Sequence, residues 1–312
     1  MFSAVVFAYS EVGQRCLRVL LEQGVHVPMV FTHQDQAGEQ RWFGSVADLA
    51  AAHGVRTVTA EPGAPEWLAE IRRLSPDYLL AFYYRSMLSP QLLRLARWGA
   101  LNMHGSLLPQ YRGRAPVNWA IANGETRTGA TLHYMVARPD AGPIVAQEAV
   151  AIGPNDDALA VSMAVAAAAA RVLTAALPVM ALGPPPGRAM DLAAGSYFGG
   201  RTPADGRIHL DWPATRVHAM IRAVAPPFPG AYVLHGDRRV VFVSSRLTGE
   251  PARHPEATLC LYATDGRLFL DCRDGVRLLL GGVLVDGIEL DGREFQSRHG
   301  VDPWRFNFTA RE

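Results

Sequence analysis

The sequence predicts an α/β protein: a Rossmann-like, mostly parallel sheet with flanking helices, followed by a small C-terminal open β-barrel of the OB-like type. Two observations lead to this prediction. Over roughly the first 150 residues, short apolar runs alternate with segments of helical periodicity, which is typical of a parallel sheet wrapped by helices. Beyond residue 230, short apolar runs are separated by Gly-Asp or Asp-Gly pairs, which is typical of antiparallel strands joined by tight turns.

Candidate strands and helices alternate along the first part of the chain. We expect strands at residues 4–8, 25–32, 56–59, 78–83, 100–104, 130–135 and 144–152. We expect helices near residues 12–23, 45–53, 65–74, 90–96, 115–123 and 158–182. In the last part, a helix at 214–223 precedes candidate strands at 231–234, 240–244, 258–262, 267–271, 276–280 and 282–285.

A Gly-Pro-Pro-Pro-Gly run at residues 183–187 ends the longest helical segment and marks the clearest change of composition. We therefore expect a Rossmann-like domain over residues 1–189, a linker over 190–203 and the OB-like domain over 204–312. The helix before the run is long and alanine-rich, but Arg171 lies near its middle, where lipid would make a charge costly. We predict that it packs on the sheet and that the protein does not insert into a membrane.

The composition excludes several classes of ligand. The formal net charge is +1, so no global field attracts nucleic acid or an anionic membrane. The chain has no lysine, which excludes a P-loop and a Schiff-base lysine. Residues 9–13, after the first strand, contain one glycine where a dinucleotide fingerprint needs three. Because Cys16, Cys260 and Cys272 form no metal-binding pair, we expect a cytoplasmic protein without a structural metal.

The end of the fifth candidate strand carries a possible reaction centre. Asn102 and His104 are two residues apart, so an extended strand places an amide and an imidazole on one face. Such a pair suits acyl transfer, in which a carbonyl oxygen becomes negative and a nucleophile loses a proton. Asp140, in a Pro- and Gly-rich loop, could polarise a histidine. The alternative is structural: the pair caps a strand end and Asp140 caps a turn.

Taken together, these segments resemble the folate-dependent formyltransferases, which include enzymes acting on methionyl-tRNA, glycinamide ribonucleotide and nucleotide sugars. The resemblance is carried by Asn-x-His-x-Ser-Leu-Leu-Pro at 102–109, Tyr-Arg-Gly-Arg-Ala-Pro at 111–116 and Asp-Ala-Gly-Pro-Ile at 140–144. It covers nearly the whole chain and is closest to the ArnA-type formyltransferases, which modify UDP-4-amino-4-deoxy-L-arabinose. Further matching segments are 5–9, 31–33, 44–47, 82–85, 123–126, 198–203 and 221–224.

The resemblance implies a set of roles. Asn102, His104 and Asp140 would be catalytic, with the Asn102 amide donating to the oxyanion and His104 moving the proton. Asp140 would stabilise the imidazolium and raise the pKa of His104. The formyl donor would be 10-formyltetrahydrofolate. Its predicted contacts are Ser86, Met87, Leu88, Arg114, Val136, Ala137, Arg138 and Pro139.

The resemblance also implies a substrate, a primary amine on a UDP-linked amino-sugar, and with it roles in lipid A modification and polymyxin resistance. A tRNA substrate would need a basic loop after the second strand, whereas residues 33–39 are short and slightly acidic. Three alternative substrates stay open: methionyl-tRNA, hydroxyornithine or another amino-sugar. A further alternative is that the protein is a catalytically silent folate-binding module. We interpret His33, His53 and His133 as surface or turn histidines. The sequence leaves the oligomeric state undetermined.

Overall fold

The structure of the protein, a computed structural model, describes residues 2–34 and 41–306. The chain divides into two compact units whose segments interleave along the sequence. Unit 1 consists of Met1–Pro116, Arg127–Ala151 and Val161–Gly199, and unit 2 of Val117–Thr126, Ile152–Ala160 and Gly200–Glu312. The predicted domain boundaries at residues 189 and 204 stay a prediction. Most of the loop at 33–39, which bears on the tRNA alternative, lies outside the described residues.

Unit 1 is built on a seven-stranded sheet of order β3-β2-β1-β4-β5-β7-β8 and a separate two-stranded ladder of β6 and β9. The strands β1 to β5 pair in parallel, whereas β7 and β8 are antiparallel additions at one edge. The strands are β1 (Ser3–Ala8), β2 (His26–Phe31), β3 (Arg56–Val58), β4 (Tyr78–Phe82), β5 (Gly99–His104), β6 (Arg112–Gly113), β7 (Arg127–Tyr134), β8 (Ile144–Ala151) and β9 (Tyr197–Phe198). The predicted mostly parallel sheet is confirmed.

The central strands are buried on both faces, as expected when helices cover a parallel sheet. All five residues of β4 are buried. On β1 and β2, Phe7 stacks on Phe31 with ring centroids 5.0 Å apart. Continuous apolar runs therefore mark the centre of the sheet, and the sequence shows them clearly.

Three of the first six helices have clear local start signals. The six helices are α1 (Ser10–Glu22), α2 (Val46–Ala52), α3 (Pro65–Leu74), α4 (Pro90–Leu93), α5 (Pro116–Ala122) and α6 (Ala158–Met180). The Ser45 hydroxyl accepts from the Asp48 N–H at 3.0 Å and caps α2, and Ser89 caps α4 in the same way. Proline occupies the first turn of α3 and α4, where its missing N–H costs nothing.

The helix α6 is long and apolar enough to cross a membrane by length and composition, with a mean hydropathy of 1.8 over its most apolar window. Of that window, 44% is buried inside the protein, and a single helix of this kind is weak evidence for a membrane span. Arg171, in its middle, donates from Nε to Glu148 Oε1 at 2.9 Å.

Unit 2 contains an antiparallel sheet of order β10-β11-β14-β13-β12-β16, with β15 paired to β14. His235 on β10 stacks on Trp304 on β16 at 4.3 Å, so the sheet curls until its edge strands meet. The predicted open barrel is confirmed. The elements are α7 (Ala214–Ala223), β10 (Ala231–His235), β11 (Arg238–Pro251), β12 (Leu259–Thr264), β13 (Arg267–Cys272), β14 (Val276–Val285), β15 (Ile288–Leu290), α8 (Gly292–His299) and β16 (Trp304–Phe306).

Two details of unit 2 differ from the prediction. The segments at 276–280 and 282–285 form one strand, because Gly281 and Gly282 continue β14 where its partner strand changes register at Ser244. The helix α8 was not predicted. It is capped by Asp291, whose carboxylate accepts from the N–H groups of Arg293 and Glu294, both at 2.8 Å.

Candidate active site

The structure brings Asn102, His104 and Asp140 together. Asn102 and His104 lie on β5, and Asp140 lies in the connection between β7 and β8. The Asn102 Nδ2 group donates to Asp140 Oδ1 at 3.4 Å, and His104 Nδ1 is 3.6 Å from the same oxygen. Asp140 reaches them from a left-handed backbone conformation, with φ 48°. The placement agrees with the predicted trio, while the catalytic roles stay a prediction.

His104 is held in one ring orientation. Its Nε2 is 2.8 Å from the Tyr111 carbonyl oxygen. Because a carbonyl can only accept, Nε2 carries a proton, and the neutral ring keeps its lone pair on Nδ1, the atom that faces Asp140. Protonation at Nδ1 would create a donor aimed at a carboxylate. The ring is therefore arranged to accept a proton on one defined atom.

Burial lowers the pKa of His104, since only 6% of the residue is exposed. Asp140 and the Tyr111 carbonyl act in the opposite direction, and His133 adds to the lowering. Asp140 raises the His104 pKa, as predicted, but desolvation of the imidazolium outweighs this attraction and the net shift is downward. His104 is therefore neutral at pH 7 and available as a base.

Asp140 is ionised despite its burial. Burial raises the pKa of the Asp140 carboxyl, but His104, His133 and the Gly113 N–H together hold it well below its usual range. The Gly113 N–H donates to Oδ2 at 2.9 Å, and His133 Nε2 lies 3.5 Å from Oδ1. A stable negative charge thus faces His104, as stabilisation of an imidazolium requires.

His133 belongs to this cluster, and its interpretation as a surface or turn histidine is wrong. It is 1% exposed and pairs with Asn102 across the β5–β7 ladder. Its Nδ1 donates to the Tyr134 carbonyl at 2.9 Å, so its Nε2 can accept from Asn102 Nδ2 at 3.2 Å. In the sequence, the only sign that His133 is buried was its place inside the candidate strand at residues 130–135. The sequence does not show that this strand pairs with β5.

The amide of Asn102 is engaged on both of its hydrogens. One contact goes to His133 at 3.2 Å and the other to Asp140 at 3.4 Å. Both are longer than an optimal N–H hydrogen bond of about 2.9 Å. An oxyanion could take one of these hydrogens at small cost, since the bond that it replaces is weak.

The short strand β6 and the residue before it, Tyr111, hold the histidine and the aspartate through backbone groups. The Tyr111 carbonyl accepts from His104, and the Gly113 N–H donates to Asp140. The other edge of the strand is fixed to the β9 region, where the Arg112 and Arg114 N–H groups donate to the Ser196 and Phe198 carbonyls, both at 3.0 Å. A Cβ on Gly113, where φ is 98°, would clash with the Phe198 carbonyl oxygen. Only glycine fits this position without displacing a strand.

The predicted folate-binding residues lie in unit 1. Ser86, Met87 and Leu88 follow β4, and because Phe82 pairs with Met103 they leave the sheet at the same end as His104. Arg114 is exposed just after β6. The remaining ones, Val136, Ala137, Arg138 and Pro139, precede Asp140 in its loop. Their contacts with folate stay a prediction.

No group of three or more metal-ligating side chains occurs within residues 2–34 and 41–306. All three cysteines are buried free thiols.

An α/β fold with a partly buried Asn–His–Asp cluster at the end of a central strand defines a protein equipped for group transfer to a nucleophile. The sequence model described as formyl transferase matches residues 4–177, and that of the formyl transferase C-terminal domain matches residues 201–300. The chain belongs to the formyl transferase family.

Several solved structures share the fold. An N-formyltransferase from Helicobacter canadensis, in complex with folinic acid and dTDP-3-aminofucose, has a TM-score of 0.70 at 18% identity, covering 90% of this chain and 99% of that one. The sugar 3N-formyl transferase WlaRD, in the presence of dTDP and 5-N-formyl-THF, has a TM-score of 0.68 at 16% identity, covering 90% and 97%. HypX from Aquifex aeolicus, in complex with tetrahydrofolic acid, has a TM-score of 0.64 at 18% identity, covering 96% and 48%.

Proposed function

We propose that this protein transfers the formyl group of 10-formyltetrahydrofolate to a primary amine on a nucleotide-linked amino-sugar. The observation that carries the proposal is the convergence of Asn102 and His104 on Asp140 Oδ1, at 3.4 and 3.6 Å. Membership of the formyl transferase family supports the reaction. Two of the similar structures were described with both a folate and a dTDP or dTDP-sugar, which supports this pair of substrates.

In this proposal the neutral His104 acts at Nδ1. As the amine nitrogen forms its bond to the formyl carbon, Nδ1 accepts the amine proton, and the resulting imidazolium donates to Asp140. The Asn102 amide donates to the oxygen that becomes negative at the formyl carbon. His104 then returns the proton to the leaving nitrogen of tetrahydrofolate as its bond to that carbon breaks. The proton that His104 Nδ1 takes from the amine is thus the one that it gives to the leaving nitrogen.

The segments assigned to folate have surfaces that suit a flat ring system. Met87 is 65% exposed and Val136 is 41% exposed, in the two loops that precede and follow the reaction centre in sequence. Ligand pockets are lined mainly by apolar side chains with a few polar groups for orientation. These two side chains supply apolar area, while Arg114 and Arg138 offer charge to an anionic end of the donor.

We propose UDP-4-amino-4-deoxy-L-arabinose as the amine, on the basis of the ArnA-type segments in the sequence. With that substrate, the product would serve lipid A modification and polymyxin resistance. We place the reaction in the cytoplasm, and the buried free thiols of Cys16, Cys260 and Cys272 support a reducing compartment.

The test is formyl transfer from 10-formyltetrahydrofolate by the full chain, offered four amines separately: UDP-4-amino-4-deoxy-L-arabinose, dTDP-3-aminofucose, hydroxyornithine and methionyl-tRNA. Mass spectrometry of the product identifies the formylated amine, and Asn102→Ala serves as the inactive control. We expect turnover with the UDP-sugar. Turnover only with dTDP-3-aminofucose would show that the substrate is a different nucleotide-linked amino-sugar from the one proposed. Turnover only with hydroxyornithine or tRNA would contradict a sugar substrate. Folate binding without turnover on any amine would indicate a silent module.

A further inference from the structure

Arg112 is a buried arginine without a partner. The residue is 5% exposed, and its Nε and Nη1 atoms are inaccessible and make no hydrogen bond to the described part of the chain. A guanidinium carries five N–H donors and stays charged in proteins. Burial of a charge without a compensating group is costly, so such a site needs a physical reason.

Two other arginines, the half-buried Arg201 and the buried Arg222, show how this chain normally satisfies the group. In unit 2, Arg201 donates from Nη2 to the Asp205 carbonyl at 2.8 Å and lies over the Trp119 ring at 4.4 Å. Arg222 donates from Nη1 to the Asp156 carbonyl at 2.8 Å. Each leaves some nitrogens unpaired but keeps the charge against a carbonyl or a ring. Among the residues described, none accepts from the Arg112 guanidinium.

Arg112 lies in the chain between the two backbone groups that hold the reaction centre. Its neighbours in the chain are the two residues whose backbone groups hold the cluster, Tyr111 at His104 and Gly113 at Asp140. The Arg112 N–H is fixed to the Ser196 carbonyl at 3.0 Å, so the backbone cannot shift to bring the side chain to solvent without breaking this ladder. Tyr197, its partner across the ladder, is 57% exposed.

We propose that Arg112 binds an anionic oxygen of a phosphate or carboxylate on a ligand that occupies the site of Asn102, His104 and Asp140. Such oxygens match the planar fork of a guanidinium, which binds them through two parallel hydrogen bonds. The proposal rests on the proposed function, in which two ligands carry such groups. They are the diphosphate of a nucleotide-linked amine and the carboxylates of the folate donor.

The proposal predicts opposite effects of Arg112→Met on stability and on binding. Without ligand, the variant should unfold at or above the wild-type temperature, because the lost guanidinium has no partner and its burial was unfavourable. With the anionic ligand, its affinity should fall roughly tenfold or more, the usual range for a hydrogen bond to a charged group. A residue with a purely structural role would instead lower stability and leave the affinity of the folded protein unchanged.

The experiment measures thermal unfolding of the full chain alone and over titrations of UDP, dTDP and tetrahydrofolate. The proteins compared are wild type, Arg112→Met, Arg112→Lys and the control Arg72→Met, which removes an exposed arginine of α3 in the same unit. We expect Arg112→Met to lose affinity for the nucleoside diphosphates if the anion belongs to the amine substrate, or for tetrahydrofolate if it belongs to the donor. Arg112→Lys, which keeps the positive charge but not the planar fork of the guanidinium, should have an intermediate ligand affinity. Arg72→Met should match wild type in both stability and ligand affinity.

Wild-type affinity of Arg112→Met for all three ligands would overturn the inference, as would ligand-free unfolding several degrees below wild type. If Arg112→Met does not fold, wild-type affinities in Arg112→Lys would overturn it. A wild type stabilised by none of the three ligands would also count against it. If the wild type formylates no amine but Arg112→Met still loses ligand affinity, the proposed function fails and the role of Arg112 stands.

Discussion

Two aspartates, the buried Asp271 in unit 2 and the partly buried Asp140 in unit 1, show how differently the chain treats the same group. Asp271 in the barrel is 1% exposed and accepts from the Arg253 and His254 N–H groups at 2.7 and 2.8 Å. It also accepts from the Tyr262 hydroxyl and from Arg277 Nε, both at 3.2 Å. Asp140 has one short bond, to the Gly113 N–H at 2.9 Å, and its other neighbours stand 3.4 to 3.6 Å away.

The difference separates a structural carboxylate from a reactive one. The partners of Asp271 include a permanently charged guanidinium and two backbone N–H groups, which satisfy the carboxylate fully. The side-chain partners of Asp140 are two histidines and an amide, at distances that leave room for a proton or an oxyanion to change the bonding. Full satisfaction stabilises a fold, whereas looser contacts to titratable groups permit chemistry.

The largest expected effect is on stability, at Asp271. Asp271→Ala should lower the free energy of unfolding by about 3–5 kcal/mol, because it leaves Arg277 and two backbone N–H groups without their buried acceptor. Urea unfolding measures the change. The control is Glu250→Ala, which removes the exposed second partner of Arg277 and should cost less than about 1 kcal/mol. Equal losses in the two variants would show that the buried Asp271 network stabilises the barrel no more than an exposed ion pair does.

The next effect is on catalysis, at Asn102. Asn102→Ala should reduce the formyl transfer rate by about a hundredfold to a thousandfold, the usual cost of one oxyanion donor. Its unfolding midpoint should stay close to wild type, since both hydrogen bonds of the amide are long. Single-turnover kinetics with saturating substrates separates the chemical step from binding. Near-normal turnover in a folded variant would remove Asn102 from the mechanism.

A smaller effect is expected where β6 supports the cluster. Gly113→Ala places a Cβ against the Phe198 carbonyl and should displace the groups that hold His104 and Asp140. A misplacement of this kind can cost on the order of a hundredfold in rate. Gly54→Ala is the matched control, because its φ is also positive, at 67°, but its Cβ would meet nothing within 4 Å. If both variants keep wild-type kcat, the backbone of β6 does not position the cluster.

The sheet was predictable because its signals are local. Buried parallel strands appear as continuous apolar runs, and the predicted strands of unit 1 match β1 to β5, β7 and β8 with ends that differ by at most three residues. The two-residue strands β6 and β9 carry no such run, and their pairing joins segments more than 80 residues apart. Long-range pairing of this kind leaves no mark in the local pattern.

The candidate site was predictable only in part. Asn102 and His104 share a strand, so their spacing alone places them together, whereas Asp140 was a candidate from its loop that the family resemblance joined to them. His133 was missed because its role depends on the pairing of β7 with β5. The net direction of the His104 pKa shift could not be predicted, because burial cannot be read from two residues in a motif, and here burial outweighs the carboxylate.

The most direct test is the pH dependence of kcat/KM for formyl transfer by wild type and by Asp140→Asn. His104 must be neutral to accept the amine proton, and its pKa is lowered, so wild-type activity should fall with decreasing pH only below about 6.5, the ordinary histidine value. Asp140 raises the pKa of His104, so Asp140→Asn should move this acidic limb to lower pH while reducing the maximal rate. An acidic limb that stays in place in Asp140→Asn would contradict proton transfer through the His104–Asp140 pair.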